Sequence, residues 1–208
     1  MDTLARLAKN KAPKPAPGER CEFCAVPIGE AHSHLVDMRS RRLMCSCRPC
    51  FIVFTPKGAA QDRYKPVPER YERVDFALSN ETWDELQIPI SIAFFFRNSE
   101  SNEMVAFYPG PAGATESLLP LQVWHEATEA NAALATLQPD VEAILVRRPK
   151  QGAQLCYIVP IDVCYELVGL IRTCWRGFDG GEEAWQKIDG FFASIERKCG
   201  GAVDVRRS

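Results

Sequence analysis

At 208 residues the chain allows one domain with a small appendage, or two small domains, and 46% apolar with 25% charged residues are globular proportions. With 25 Lys and Arg against 27 Asp and Glu, the formal charge of -2 weighs against nonspecific nucleic-acid binding, which draws on a broad basic surface. No apolar run reaches the roughly 18 to 20 residues of a membrane span, and the N-terminus has no apolar stretch of signal-peptide length.

Residues 1–19 begin weakly amphipathic at Leu4 and Leu7, then enter KNKAPKPAPGER. Its three prolines and interspersed lysines cannot continue a helix and bury almost nothing, so the segment reads as a disordered tether.

A metal module is expected over residues 20–56, where CEFC and CSCRPC bring five of the nine cysteines together. The pairs Cys21/Cys24 and Cys47/Cys50 have the spacing that lets two turns aim four thiolates at one ion. Nine cysteines is an odd number, and metal-type spacing points to reduced thiols in a cytoplasm rather than to a disulfide framework. HSHLVDM and RRLMCSC read as the strands of a small zinc-ribbon-like or treble-clef-like unit, with Arg39, Arg41 and Arg42 at the hairpin tip. Zn2+ is the expected ion and iron in a rubredoxin-type site the alternative. A rubredoxin turn follows its second cysteine with a small residue, which Ala25 satisfies and Phe51 does not. Cys45 and His34 are possible substitute ligands: on an extended strand, positions 45 and 47 share a side, and His32 and His34 share a face. As a nucleophile, Cys45 would need exposure and a lowered pKa.

FIVFTP reads as a further apolar strand, and residues 57–80, rich in proline and charge, as a linker. An α+β domain is expected over 81–208, a mostly antiparallel sheet with helices packed on one face. Ile88–Arg97 is apolar enough for a central strand, and NSESNE turns it into MVAFYP. GPAGATES reads as a loop leading to a helix on which Leu121, Trp124, Thr128, Asn131, Leu134 and Leu137 are helically spaced. VEAILVRR and QLCYIVP form a second hairpin. Two helices follow, one capped by Asp162, the other carrying a core stripe of Trp185, Ile188, Phe192, Ile195 and Cys199.

No catalytic constellation accompanies these elements. His125 is a lone histidine, Cys156, Cys164, Cys174 and Cys199 fall on apolar stripes, and GPAGATES lacks phosphate-loop spacing.

CEFC, HSHLVD, CSCRPC, FYPGPAGATES, PDVEAILVRR and YIVPIDVCYELVGLIRTCWRGFDGG together resemble an uncharacterised bacterial family encountered beside nickel-iron hydrogenase genes. The similarity covers roughly residues 21–198. It implies a role in hydrogenase assembly, maturation or complex formation and assigns no catalytic residue. The expected function is therefore a non-catalytic, zinc-stabilised adaptor that binds a hydrogenase subunit or assembly factor. The alternative is a redox or metal-transfer protein of hydrogenase maturation. Arg39, Arg41 and Arg42, with the neighbouring FIVF stretch, are the expected partner contacts, the arginines steering an acidic surface.

Overall fold

Residues 19–117, 132–149, 152–177 and 179–201 are described in the computed structural model. They belong to two compact units, Met1–Lys65 and Pro66–Ser208. Most of the tether lies outside the described residues, as do Leu121, Trp124, His125, Thr128 and Asn131.

The first unit is a three-stranded sheet in the order β2-β1-β3, from β1 (Ser33–Asp37), β2 (Arg42–Ser46) and β3 (Tyr64–Pro66). The β1–β2 hairpin is antiparallel and pairs Ser33 with Ser46, His34 with Cys45 and Asp37 with Arg42. FIVF does not continue as a strand: Arg48–Phe54 is helix α1, with Pro49 in its first turn and Thr55 at its end. Proline there costs no hydrogen bond and presets the helical φ, while Thr55 closes the last turn through the Phe51 carbonyl. Ile52 and Val53 consequently point outward, 55% and 62% exposed. Inside, Phe23 stacks on Phe54 at 4.5 Å and meets Tyr64 edge-on at 5.0 Å, tying the Cys21 turn to α1 and β3. The core is small: among the described residues of this unit, the buried apolar ones are Cys21, Leu35 and Val36.

Residues 57–80 contribute to both sheets. β3 joins the first, and β4 (Glu72–Arg73) pairs with Tyr157 and Ile158 of the second.

The second unit is a six-stranded sheet in the order β4-β9-β8-β5-β6-β7. Its strands are β5 (Ile92–Arg97), β6 (Met104–Gly110), β7 (Gly113–Ser117), β8 (Glu142–Arg147) and β9 (Leu155–Pro160), with β4, and every pairing is antiparallel. GATES is thus the strand β7 rather than part of a loop. At the sheet edge it pairs through its backbone, which asks little of its side chains.

Both faces of this sheet are covered. On one, Ala93, Phe95, Ile144, Val146 and Ile158 pack with Trp83, Leu86, Leu134 and Leu137, from segments that include helix α2 (Asn80–Glu85) and the helical turn Ala132–Ala135. On the other lie the two long helices, α3 (Ile161–Cys174) and α4 (Gly181–Gly201): Phe94 meets Tyr165, and Tyr157 meets Phe192 and donates to Glu196. The long helices do share one face, and the short elements seal the opposite one because β5, β8 and β9 are apolar on both sides. Asp162 does not cap α3, whose N-cap is Pro160; its side chain accepts from the Val163 N–H. Trp185 is half-buried rather than a core residue, its ring edge-on to Trp175 and its Nε1 donating to the Asp179 carbonyl. The turn beneath requires Gly180, at φ 89°, where a Cβ would sit 2.9 Å from the Trp175 ring.

Among the described residues, no helix is long and apolar enough to cross a membrane.

Candidate metal centre

The four cysteines of the paired motif converge, with one sulfur from each of Cys21, Cys24, Cys47 and Cys50 lying within 4.8 Å of the others. Cys24 Sγ and Cys47 Sγ are 3.6 Å apart. Bonds of about 2.3 Å to a tetrahedral ion put sulfurs about 3.8 Å apart, so the group fits a four-thiolate site with little adjustment.

Two different local structures supply the pairs. Cys21 and Cys24 sit in a tight turn in which the Ala25 N–H donates to the Cys21 carbonyl and the Cys21 N–H to the Val26 carbonyl. Ala25 takes the left-handed conformation at φ 60°, which a small residue tolerates best. Cys47 is the N-cap of α1 and Cys50 lies in its first turn, where helical backbone accepts the bulky Phe51 that a second left-handed turn would have refused.

The thiols are electrostatically uneven. Burial pushes the Cys21 thiol up, but N–H groups of Cys47, Cys24 and Phe23 outweigh it and bring it down to about 6. Burial, then the crowding sulfurs of Cys47, Cys24 and Cys21, drive Cys50 far above the ordinary thiol range. At Cys24, an N–H from Val26 is overcome by Cys21, burial and Cys47, and the thiol rises. Cys21 is thus the thiol most readily ionised, and a divalent cation would supply the positive charge the others need.

Cys45 and His34, the possible substitutes, are grouped apart from this set, with His32. Burial, then the charges of Glu19, Glu22 and Cys21, raise the Cys45 thiol, the reverse of what an activated free nucleophile requires.

The arginines of the hairpin tip have local partners: Arg39 donates to Gln61 and Arg42 to Glu22, and Arg41 sits at φ 56°. The tip is organised by Asp37, only 3% exposed, which accepts from the Arg39 N–H, the Ser40 hydroxyl and both Nε and Nη2 of Arg63. Sequence reasoning passed over this pair, since nothing local links positions 26 residues apart. The Arg63 guanidinium holds the Asp37 carboxyl well below the usual carboxylate range. A depressed carboxyl stabilises the fold above its unfolded pKa of about 3.9 and loses that contribution as pH falls through the folded value. Replacing Asp37 by Asn should cost about 1 to 3 kcal/mol at neutral pH, discounted for the partial exposure of Arg63. In urea melts the gap between wild type and Asp37→Asn should narrow below about pH 4; a gap independent of pH would show that the ion pair is not its source.

A family of unknown function, DUF5947, matches residues 20–199. The chain belongs to that family. The match takes in the four cysteines, the His32, His34 and Cys45 group, and the six-stranded sheet of this DUF5947 member. No curated protein and no solved structure matches the chain.

Proposed function

We propose that the chain is a non-catalytic accessory protein whose N-terminal unit, a treble-clef-like module closed by one zinc ion on Cys21, Cys24, Cys47 and Cys50, docks on another protein. The observation that carries this reading is the exposed apolar surface next to the four sulfurs. Val26, Ile52 and Val53, at 45%, 55% and 62% exposure, follow ligand cysteines by two or three residues. Large apolar side chains held outward on a metal-braced scaffold lose little entropy on binding and have area to bury. Arg39 and Arg42, exposed at the hairpin tip, and Arg41 beside them add positive charge that would steer an acidic partner.

The sequence resemblance points to a nickel-iron hydrogenase subunit or assembly factor as the partner, and the free state of all nine cysteines is in keeping with a cytoplasmic setting. Zinc is favoured over iron because the second pair opens a helix instead of repeating the first turn.

A metal-transfer or redox role is the second reading, and exposure of Cys24 favours it, since an incoming ligand can reach that sulfur. Metal analysis separates the adaptor from the redox protein: colourless zinc on the four cysteines supports the first, and coloured iron supports the second. Binding to purified hydrogenase subunits and assembly factors should be lost, by a factor of ten or more, in an Ile52→Asp, Val53→Asp double variant. If the wild type binds none of these components, the hydrogenase assignment fails.

A further inference from the structure

The unit that presents the four cysteines also carries a second set of metal-type donors. One ligand atom from each of His32, His34 and Cys45 lies within 4.8 Å of the other two. We infer that these three residues form a second metal site, a His2Cys shell for a divalent d-block ion with its fourth position open.

Hairpin register creates the group. His34 on β1 and Cys45 on β2 are direct cross-strand partners. The Cys45 N–H donates to Glu22 Oε1 and its carbonyl accepts from the Glu22 N–H, so its backbone bonds away from β1. His34 and Cys45 are therefore a non-hydrogen-bonded pair, the kind whose side chains approach most closely. His32, two residues before His34, reaches the same face, its ring edge-on to that of His34 at 4.5 Å.

His32 supplies the observation that points to a ligand. Its Nδ1 lies 2.8 Å from the Gly29 carbonyl, with Glu19 Oε2 behind at 3.4 Å. A carbonyl only accepts, so Nδ1 carries the proton, which leaves Nε2 as the nitrogen that can offer a lone pair. That nitrogen is buried without a hydrogen-bond partner, on a side chain only 6% exposed. Metal-binding histidines are held this way, one nitrogen fixed by a carbonyl or carboxylate and the other aimed at the ion. Water exclusion and an orphaned acceptor would otherwise be a standing cost with no return in structure.

The chemistry balances simply. The two imidazoles bind as neutral rings, and Cys45 forms its bond to the metal as a thiolate, releasing one proton to solvent per ion bound. Two nitrogens and one sulfur suit zinc or cobalt(II), and three protein ligands leave room for a water or a substrate atom. The inference goes beyond the adaptor reading, which needs only the four-cysteine ion.

The test is reloading of the stripped full-length protein with cobalt(II) under reducing conditions, following bound equivalents and the thiolate charge-transfer absorption together. The wild type should bind two equivalents. His32→Ala, His34→Ala and Cys45→Ser should each bind one and keep the four-thiolate absorption, which certifies that the module still folds. Should an alanine variant lose that absorption, His34→Asn, which keeps a polar side chain without the imidazole, takes its place in the count. One equivalent in the wild type, or two retained by any of these variants, overturns the assignment, and because the four-thiolate band is scored separately, neither result touches the reading of Cys21, Cys24, Cys47 and Cys50.

Discussion

Chelating the zinc proposed for the four-cysteine site is expected to unfold residues 19–65 while the six-stranded sheet stays folded. The first unit buries little besides Leu35, Val36 and Cys21, and its aromatic cluster of Phe23, Phe54 and Tyr64 is only half-buried. A core of that size cannot offset the conformational entropy of nearly fifty residues, which amounts to tens of kcal/mol. A structural zinc supplies on the order of 10 kcal/mol in small metal modules, enough to decide between folded and unfolded. Hydrogen exchange is the measurement: after chelation, amides of Ser33–Asp37 and Arg42–Ser46 should exchange freely, whereas those of Ile92–Arg97 and Glu142–Arg147 should stay protected. Unchanged protection in the first two strands would mean that the metal adds nothing to the fold. Cys47→Ser should reproduce the effect of the chelator, because a lost thiolate opens the tetrahedral shell.

Phe95→Ala should cost the second unit about 3 to 5 kcal/mol. Phe95 is fully buried at the middle of the sheet, paired with Ala106 on one side and Ile144 on the other, within the cluster that includes Trp83 and Leu137. Ala106 cannot expand into the space, and flanking strands held by ladders on both sides resist collapse, so most of the cavity should remain. Phe96→Ala, one residue on and only half-buried, should cost markedly less in the same denaturant series. Equal losses at the two positions would contradict their difference in burial.

What could be read from sequence was whatever depends on close neighbours. The cysteine pairs declare themselves within four residues each, the β1–β2 and β8–β9 hairpins follow from apolar runs flanking polar turns, and α3 and α4 carry a helical stripe over many residues. FIVF was misread because four apolar residues satisfy either period, and the helix they form is set by Pro49 and the cysteine turn while Ile52 and Val53 face outward. GATES gave no strand signal because an edge strand can rely on backbone pairing. The grouping of His32 and His34 with Cys45, and the meeting of Asp37 with Arg63, depend on hairpin register and on the return of β3, neither of which any local pattern encodes. Trp185 had the spacing of a core residue, but its indole N–H needs the Asp179 carbonyl, and that keeps it at the margin.

The division after Lys65 also partitions the chromophores. All four tryptophans, at positions 83, 124, 175 and 185, belong to Pro66–Ser208, whereas every cysteine of both metal-type clusters precedes it. Indole fluorescence therefore speaks for the unit of the six-stranded sheet, through Trp83 in its core and the Trp175–Trp185 pair over Gly180. Ligand-to-metal absorption speaks for the other. A single unlabelled sample thus carries two optical signals, one from each unit, and one titration can follow the melting of each half of the chain.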